Sequence, residues 1–277
     1  MKKNKTLKAG DGKIAIIGAG NIGAAIARGL AASGRFRPEE IILTRRRTEL
    51  LEGLRAEKFC VLSDNRAAVK KAAIIILAVG PLEAEAAVKA IRPALNSRHI
   101  VISIVSGVTT AQIASWMKKK VSLVRAMTNT AISIREAMTC LCADPASRGA
   151  LARAKDIFDA LGKTLVIREE LMLSATALTG CGIAFFLRAI RAASQGGTQI
   201  GFHSEEALMM AAQTARGAAS LLLGRQGHPE SEIDKVTTPR GCTIEGLNEM
   251  EHHGFSSAMI TGIVTSSNKA AGLFKVK

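Results

Sequence analysis

Six consecutive residues, Gly18-Ala19-Gly20-Asn21-Ile22-Gly23, have the spacing G-x-G-x-x-G. Such a run can hold a pyrophosphate. Gly18 permits a tight turn, Gly20 lets phosphate approach the backbone, and Gly23 lets a helix pack on a strand. The phosphates then meet free N–H groups at a helix N-terminus. Alone the hexapeptide is a weak signal. Here it stands between an apolar strand at 13–17 and a helix at about 21–33, the context that dinucleotide binding requires. The next strand, at 41–44, ends in Arg45-Arg46-Arg47 with no acid. An acid there would bind a ribose 2′-OH, whereas arginines clamp a 2′-phosphate. The residues therefore predict NADP(H) in preference to NAD(H), with Thr44, Arg45 and Arg46 at the phosphate.

Other chemistry-bearing residues give little. The five cysteines, Cys60, Cys140, Cys142, Cys181 and Cys242, are scattered and odd in number. None forms C-x-x-C, and no histidine stands at zinc-finger spacing from a cysteine pair. No metal site and no disulfide scaffold is expected, and a reducing cytoplasm is the default compartment. Cys140 and Cys142 point to one face of a strand, as small core residues do. His252 and His253 are adjacent and cannot share a helix face as ligands, so they read as a surface or interface pair.

The elements that must position the glycine loop follow from hydrophobic pattern. Strands are expected at 13–17, 41–44, 74–79, 99–103, 121–125, 137–142 and 164–167. Helices are expected between them. Near-continuous Ile/Val runs alternating with helices predict an α/β, doubly wound, parallel sheet covered on both faces. From residue 169 on, strand pattern disappears. Helices are expected at 170–178, 183–201, 205–223, 230–235, 243–251 and 256–273, with a break at Thr179-Gly180-Cys181-Gly182. Two domains result, 1–168 binding the dinucleotide and 169–277 all-helical. Residues 1–9 are expected to be disordered.

These residues together resemble the pyrroline-5-carboxylate reductase family. The resemblance is carried by the glycine fingerprint, by Leu77-Ala78-Val79-Gly80-Pro81 and by Arg125-Ala126-Met127-Thr128-Asn129-Thr130. Thr179-Gly180-Cys181-Gly182-Ile183-Ala184-Phe185-Phe186 is similar to the family's S-G-S-G-P-A-Y-V/F. Val236-Thr237-Thr238-Pro239-Arg240-Gly241-Cys242-Thr243-Ile244 is similar to its V-T-S-P-G-G-T-T-I. The resemblance runs through nearly the whole chain in order. It implies NADPH-dependent reduction of the C=N bond of a cyclic imino acid, most simply 1-pyrroline-5-carboxylate to L-proline. It also implies a Rossmann domain and an all-α domain through which the chain forms a homodimer or higher homo-oligomer. By the same resemblance, Thr238, Arg240, Gly241, Cys242 and Thr243 form the substrate-carboxylate loop, and Thr243 hydrogen-bonds the imine nitrogen. Asn65 meets the cofactor, Ala78, Val79 and Gly80 end a strand beside it, and Met127 and Asn129 face the nicotinamide.

The departures cluster at that implied site. A-V-K-P has become Ala78-Val79-Gly80-Pro81, losing a lysine. P-N-T-P-A-x-x-G-E-G has become Thr128-Asn129-Thr130-Ala131-Ile132-Ser133-Ile134-Arg135-Glu136-Ala137, and S-P-G-G has become Thr238-Pro239-Arg240-Gly241. The acid often found two places before His-Pro is here Gln226. Three readings follow: the same reductase with a drifted site; reduction of a related imine whose extra carboxylate pairs with Arg135 or Arg240; or a catalytically silent NADP(H)-binding paralogue. A 3-hydroxy-acid dehydrogenase shares the domain plan but places a catalytic lysine in the first central helix of its helical half. Residues 183–201 hold Arg188 and Arg191 and no lysine.

Composition bounds the rest. Of 277 residues, 48% are hydrophobic and 22% charged, which is the balance of a folded globular chain. No apolar run approaches the ~20 residues of a membrane span, and no secretory signal is expected. The net charge of +15 permits binding to phosphate polymers, supported by Lys118-Lys119-Lys120 and the lysine-rich start. With Phe 8, Trp 1 and Tyr 0, base-stacking platforms are scarce, which weighs against nucleic acid. Residues 1–168 carry 29 basic and 13 acidic residues, a net of +16, against 9 and 10, a net of −1, in 169–277. The charge is thus confined to the part expected to bind a polyanionic cofactor.

Overall fold

The computed structural model describes residues 12–225 and 227–272. The lysine-rich segment 1–9 and Gln226 lie outside them. The described residues form two compact units, residues 12–180 with 267–272 and residues 181–266.

The first unit is built on strands β1 (Ile14–Ile17), β2 (Ile41–Thr44), β3 (Cys60–Leu62), β4 (Ile74–Leu77), β5 (Ile100–Ser103), β6 (Ser122–Met127), β7 (Ala137–Ala143) and β8 (Gly162–Val166). Their β-branched runs suit a sheet covered on both faces. The spatial order is β3-β2-β1-β4-β5-β6-β7-β8. β1 pairs in parallel with both β2 and β4, aligning Ile17 with Thr44 and with Leu77. The strand order therefore reverses beside β1, which is where open α/β sheets bind ligands. Residues alternate between two layers: Ile14, Ile16, Ile74 and Ile76 join one apolar cluster, while Ala15, Ile17, Ile75 and Leu77 join the other.

Helices α1 (Asn21–Ala32), α2 (Glu52–Ala56), α3 (Asn65–Lys70), α4 (Pro81–Ile91), α5 (Thr110–Met117) and α6 (Arg148–Asp159) connect the strands. Local signals start several of them. Asp64 caps α3 through Arg66 N–H, and Pro81 opens α4. Thr109 and Gln112 form a reciprocal capping box at α5.

Two features of the sheet differ from the sequence pattern. β3 was not expected: it has three half-buried residues at the sheet edge, too few to show a period. β7 runs antiparallel to β6, aligning Cys142 with Arg125. An apolar strand buried on both faces gives no sign of its direction.

The helical part comprises α7 (Met172–Ala175), α8 (Gly182–Gln199), α9 (Ser204–Arg225), α10 (Pro229–Val236), α11 (Cys242–His252) and α12 (Phe255–Gly272). The expected break at Thr179-Gly180-Cys181-Gly182 does not occur. Thr176–Cys181 forms a π-helical turn between α7 and α8. Thr176 and Thr179 donate to the carbonyls of Met172 and Ala175, and the Asn129 amide donates to the Thr179 carbonyl at 3.1 Å. Side chains thus serve carbonyls that a wide turn leaves poorly paired. Met172 and Ala175 pack with Met127, Cys140 and Cys142, tying α7 to the sheet. In the second unit Gly197 lies 3.0 Å, at its missing Cβ, from the Cβ of Ala207, so α8 and α9 pack closely. Among its described residues, Gly182, Ser194 and Ala207 alone are buried.

One buried charge fastens the first unit. Arg125 on β6 is 2% exposed and donates to Glu169 at 3.1 Å. Glu169 also accepts from the Thr110 N–H at 2.8 Å and from the Thr110 hydroxyl, capping α5. Burial pushes the Glu169 carboxyl up, but the Thr110 and Arg125 donors outweigh it and hold the group below its ordinary value. A depressed native pKa contributes stability above the unfolded value and loses it as pH falls through the native one. Glu169→Gln should lower unfolding stability at neutral pH by about 1–3 kcal/mol in urea titrations. The gap to wild type should close as pH falls below the ordinary glutamate range. A gap independent of pH would remove the electrostatic role.

Candidate dinucleotide cleft and substrate loop

The turn after β1 is shaped by what glycine omits. Gly18 has φ +95°, and a Cβ there would lie 2.6 Å from Val79 Cγ1 and 2.8 Å from the Ala78 carbonyl. A Cβ on Gly23 would lie 2.7 Å from the Gly18 carbonyl, so α1 is pressed onto the turn. A Cβ on Gly20 would meet nothing within 4 Å. Gly20 thus faces open space, as approach of a ligand to the backbone requires. α1 begins with no side-chain cap and no acid in its first turn. Its first N–H groups are therefore available to an anion.

The second strand supplies the buttress. Thr44 is fully buried, and its carbonyl accepts from Gly18 N–H at 3.1 Å and Ala19 N–H at 2.8 Å. Thr44 thus holds the loop through its backbone. The Arg45 guanidinium reaches the Ala19 carbonyl at 3.5 Å. Arg46 is exposed and lies 3.8 Å from the Glu83 carboxylate.

These residues open into a cleft of about 850 Å³. Of the residues expected at a cofactor, Gly18, Gly20, Thr44, Arg45, Arg46, Asn65, Ala78, Val79 and Gly80 line it. Ala19 is buried in the core, and Asn21, Ile22 and Gly23 begin α1 beside it. Met127 and Asn129 are not in its lining: Met127 is buried against Cys140 and Cys142, and Asn129 accepts from Ala131 N–H while donating to Thr179. The lining also contains Arg47, Ser63 and, from α4, Glu83, Ala86, Ala87 and Ala90. The four α4 positions share one helical face, a spacing visible in the sequence once the helix is placed beside the cleft.

The expected substrate residues lie in the second unit. Thr238-Pro239-Arg240-Gly241 is a turn closed by Gly241 N–H to the Thr238 carbonyl at 2.9 Å. Arg240 has φ +59° behind Pro239, the type II pattern that favours glycine at this place. Gly241 caps α11, and a Cβ on it would lie 2.4 Å from Thr238 Oγ1. Cys242 and Thr243 follow in the first turn, both exposed.

The cysteines are all free thiols. Burial pushes Cys140 up, and burial with the Glu169 carboxylate pushes Cys142 up to about 12. Both stay protonated, as inert core residues do. His252 and His253 are exposed, and His253 reaches Glu249 at 3.1 Å.

Comparison with known proteins bears on both units. Residues 169–273 match the model described as pyrroline-5-carboxylate reductase dimerisation. Residues 13–107 match one described as NADP oxidoreductase, coenzyme F420-dependent. Pyrroline-5-carboxylate reductase 2 of Dictyostelium discoideum is 46% identical, over 98% of this chain and 94% of its own. The chain belongs to the pyrroline-5-carboxylate reductase family. Pyrroline-5-carboxylate reductase 1 of the same organism is 50% identical over 98% of this chain, which spans 51% of that relative's length. A solved pyrroline-5-carboxylate reductase from Coxiella burnetii superposes with a TM-score of 0.87 at 28% identity, covering 96% of this chain and all of that one. The fold is the family's: a Rossmann-type sheet followed by an all-α dimerisation domain.

The dimerisation module accounts for apolar surface on the helical unit. Phe186, Leu187, Ile200, Met209, Leu223 and Ile260 are each more than half exposed in the single chain. The helical stretch Glu169–Gln199 has 31 residues and is long and apolar enough to cross a membrane, with 17% of its most apolar window buried. This length was not evident in the sequence, where the glycines at 180 and 182 read as a break. The same residues begin the family's dimerisation module, and burial against another subunit covers such a face without a bilayer.

If Arg45 and Arg46 bind a 2′-phosphate, their loss must act on one cofactor. Arg45→Ala with Arg46→Ala should weaken NADPH by about tenfold to a hundredfold and NADH by much less, read by titration of each. An unchanged ratio would remove the 2′-phosphate role.

Proposed function

We propose that this protein reduces the C=N bond of a cyclic imino acid with NADPH, and that the substrate is 1-pyrroline-5-carboxylate, giving L-proline. The observation that carries the reading is the cleft itself. It joins an uncapped helix N-terminus, a glycine that a ligand can approach and arginines in place of an acid at the end of β2. The family membership gives that cleft its reaction.

The residues fit the cofactor. The first N–H groups of α1 would take the pyrophosphate, and Arg45 and Arg46 the 2′-phosphate. Asn65, Ala78, Val79 and Gly80 would line its path. NADPH bound there supplies a hydride to the imine carbon. The imine nitrogen must then gain a proton. Thr243 is assigned to donate a hydrogen bond to that nitrogen. Its hydroxyl is a poor acid at neutral pH, so water shares the proton transfer. Thr238, Arg240, Gly241 and Cys242 complete the loop assigned to the substrate carboxylate. The backbone N–H groups at the start of α11 have the polarity this requires.

A second reading rests on Arg240. It holds a positive φ where the family motif has glycine, and its guanidinium is exposed. An imine bearing a further carboxylate would pair with it. We assign the protein a homodimeric state through the helical unit. The free thiols suit a reducing compartment, and the cytoplasm is the proposed location.

Loss of NADPH absorbance should follow addition of 1-pyrroline-5-carboxylate, and faster loss with a dicarboxylated cyclic imine would select the second reading. Silence across a panel of cyclic imino acids, with NADPH binding intact, would defeat the enzyme reading. Thr243→Ala should lower kcat by about tenfold to a hundredfold while NADPH affinity stays within about twofold. Equal losses in both would contradict the assigned role.

A further inference from the structure

The cleft contains a carboxylate that the proposed chemistry does not use. Glu83 stands in the first turn of α4, on the face that lines the cleft with Ala86, Ala87 and Ala90. Its side chain folds back over Gly80: a Cβ on Gly80 would lie 2.4 Å from Glu83 Oε2. Its other oxygen lies 3.8 Å from Arg46 Nη2. Among the described residues, neither Arg45 nor Arg47 has a carboxylate within ion-pair distance. One cleft arginine is therefore paired with an internal anion and two are not.

We propose that Glu83 is a specificity-determining residue that competes with the cofactor 2′-phosphate for Arg46, and so weakens discrimination between NADPH and NADH. The inference rests on the NADP(H) reading of the cleft. Both partners are anions seeking one guanidinium. A 2′-phosphate that engages Arg46 must displace Glu83 or share the cation with it. In either arrangement it meets a like charge on the cleft wall. A dinucleotide lacking the 2′-phosphate meets no such competition. The pair is exposed, with side chains 89% and 50% accessible, so water and salt weaken it. The effect on affinity is accordingly modest. Gly80 is part of the device, since its missing side chain leaves room for the carboxylate beside the strand end.

Binding of NADP+ and NAD+ to the full-length protein, followed by calorimetry without imine, tests this. Glu83→Gln keeps the size and removes the charge. It should tighten NADP+ by about threefold to tenfold and alter NAD+ by less than about twofold. The gain should shrink as salt is raised, and it should vanish in an Arg46→Ala background. Unchanged or weaker NADP+ binding in Glu83→Gln would overturn the proposal. So would an equal gain for NAD+, or a gain that persists without Arg46. Failure of the wild type to bind NADP+ would overturn both this inference and the cofactor reading. Binding without turnover of any imine would defeat the reaction alone and leave the inference standing.

Discussion

No side chain fits at residue 18. The backbone turns there at φ +95°, with the Ala78 carbonyl and the Val79 side chain occupying the space of a Cβ. Only glycine adopts that conformation against those neighbours without moving them. The rest of the cleft follows from this contact. It brings the ends of β1 and β4 together and lets the Thr44 carbonyl collect the N–H groups of Gly18 and Ala19. α1 then starts with its first donors unclaimed by any side chain. The arginines after Thr44 sit beside those donors because β2 is in register with β1. Positive charge and oriented amides converge because three strands end together.

The helical unit obeys the opposite constraint. Three of its described residues are buried, and large apolar side chains lie open on α8, α9 and α12. A unit of that size cannot balance its conformational entropy with so thin a core. Stability must come from surface covered by another subunit, which is the part played by the family's dimerisation module. The charge asymmetry fits this division. An interface between like chains tolerates a net of −1 far better than +16, while a phosphate cleft gains from excess positive charge.

Most of the sheet and the glycine loop were legible because their physical causes are local. Ile-Ile-Ile-Leu at β4 and the G-x-G-x-x-G spacing each carry their meaning within a few residues. What escaped depends on distant partners. β3 exists through its pairing with β2, and the direction of β7 is set by β6. Two glycines at 180 and 182 look like a helix break. The segment instead stays helical as a π turn, with side chains from residues 129, 176 and 179 serving backbone carbonyls. Glu83 escaped because the residues it meets, Gly80 and Arg46, belong to separate stretches of chain. The inward face of a helix is not marked when it is lined by alanine.

Positive backbone angles sort the arginines that depart from the family pattern. Among the described residues, four that are not glycine have φ > 0: Lys58, Lys118, Arg135 and Arg240. Lys118 and Arg135 end helical segments, and Lys58 follows Glu57, the residue that caps the end of α2. A left-handed residue is the ordinary way to stop a helix, and its cost is offset by the carbonyls it satisfies. Arg135 fits that account, with its N–H returned to the carbonyls of the segment it closes. Arg240 does not. It sits inside the turn that leads into α11, where glycine would be free of strain and arginine costs about 1 kcal/mol. Helix termination explains the first three, while the positive φ of Arg240 belongs to the turn that Gly241 N–H closes on the Thr238 carbonyl. Arg240, rather than Arg135, is therefore the departure whose left-handed backbone a glycine would hold at lower cost.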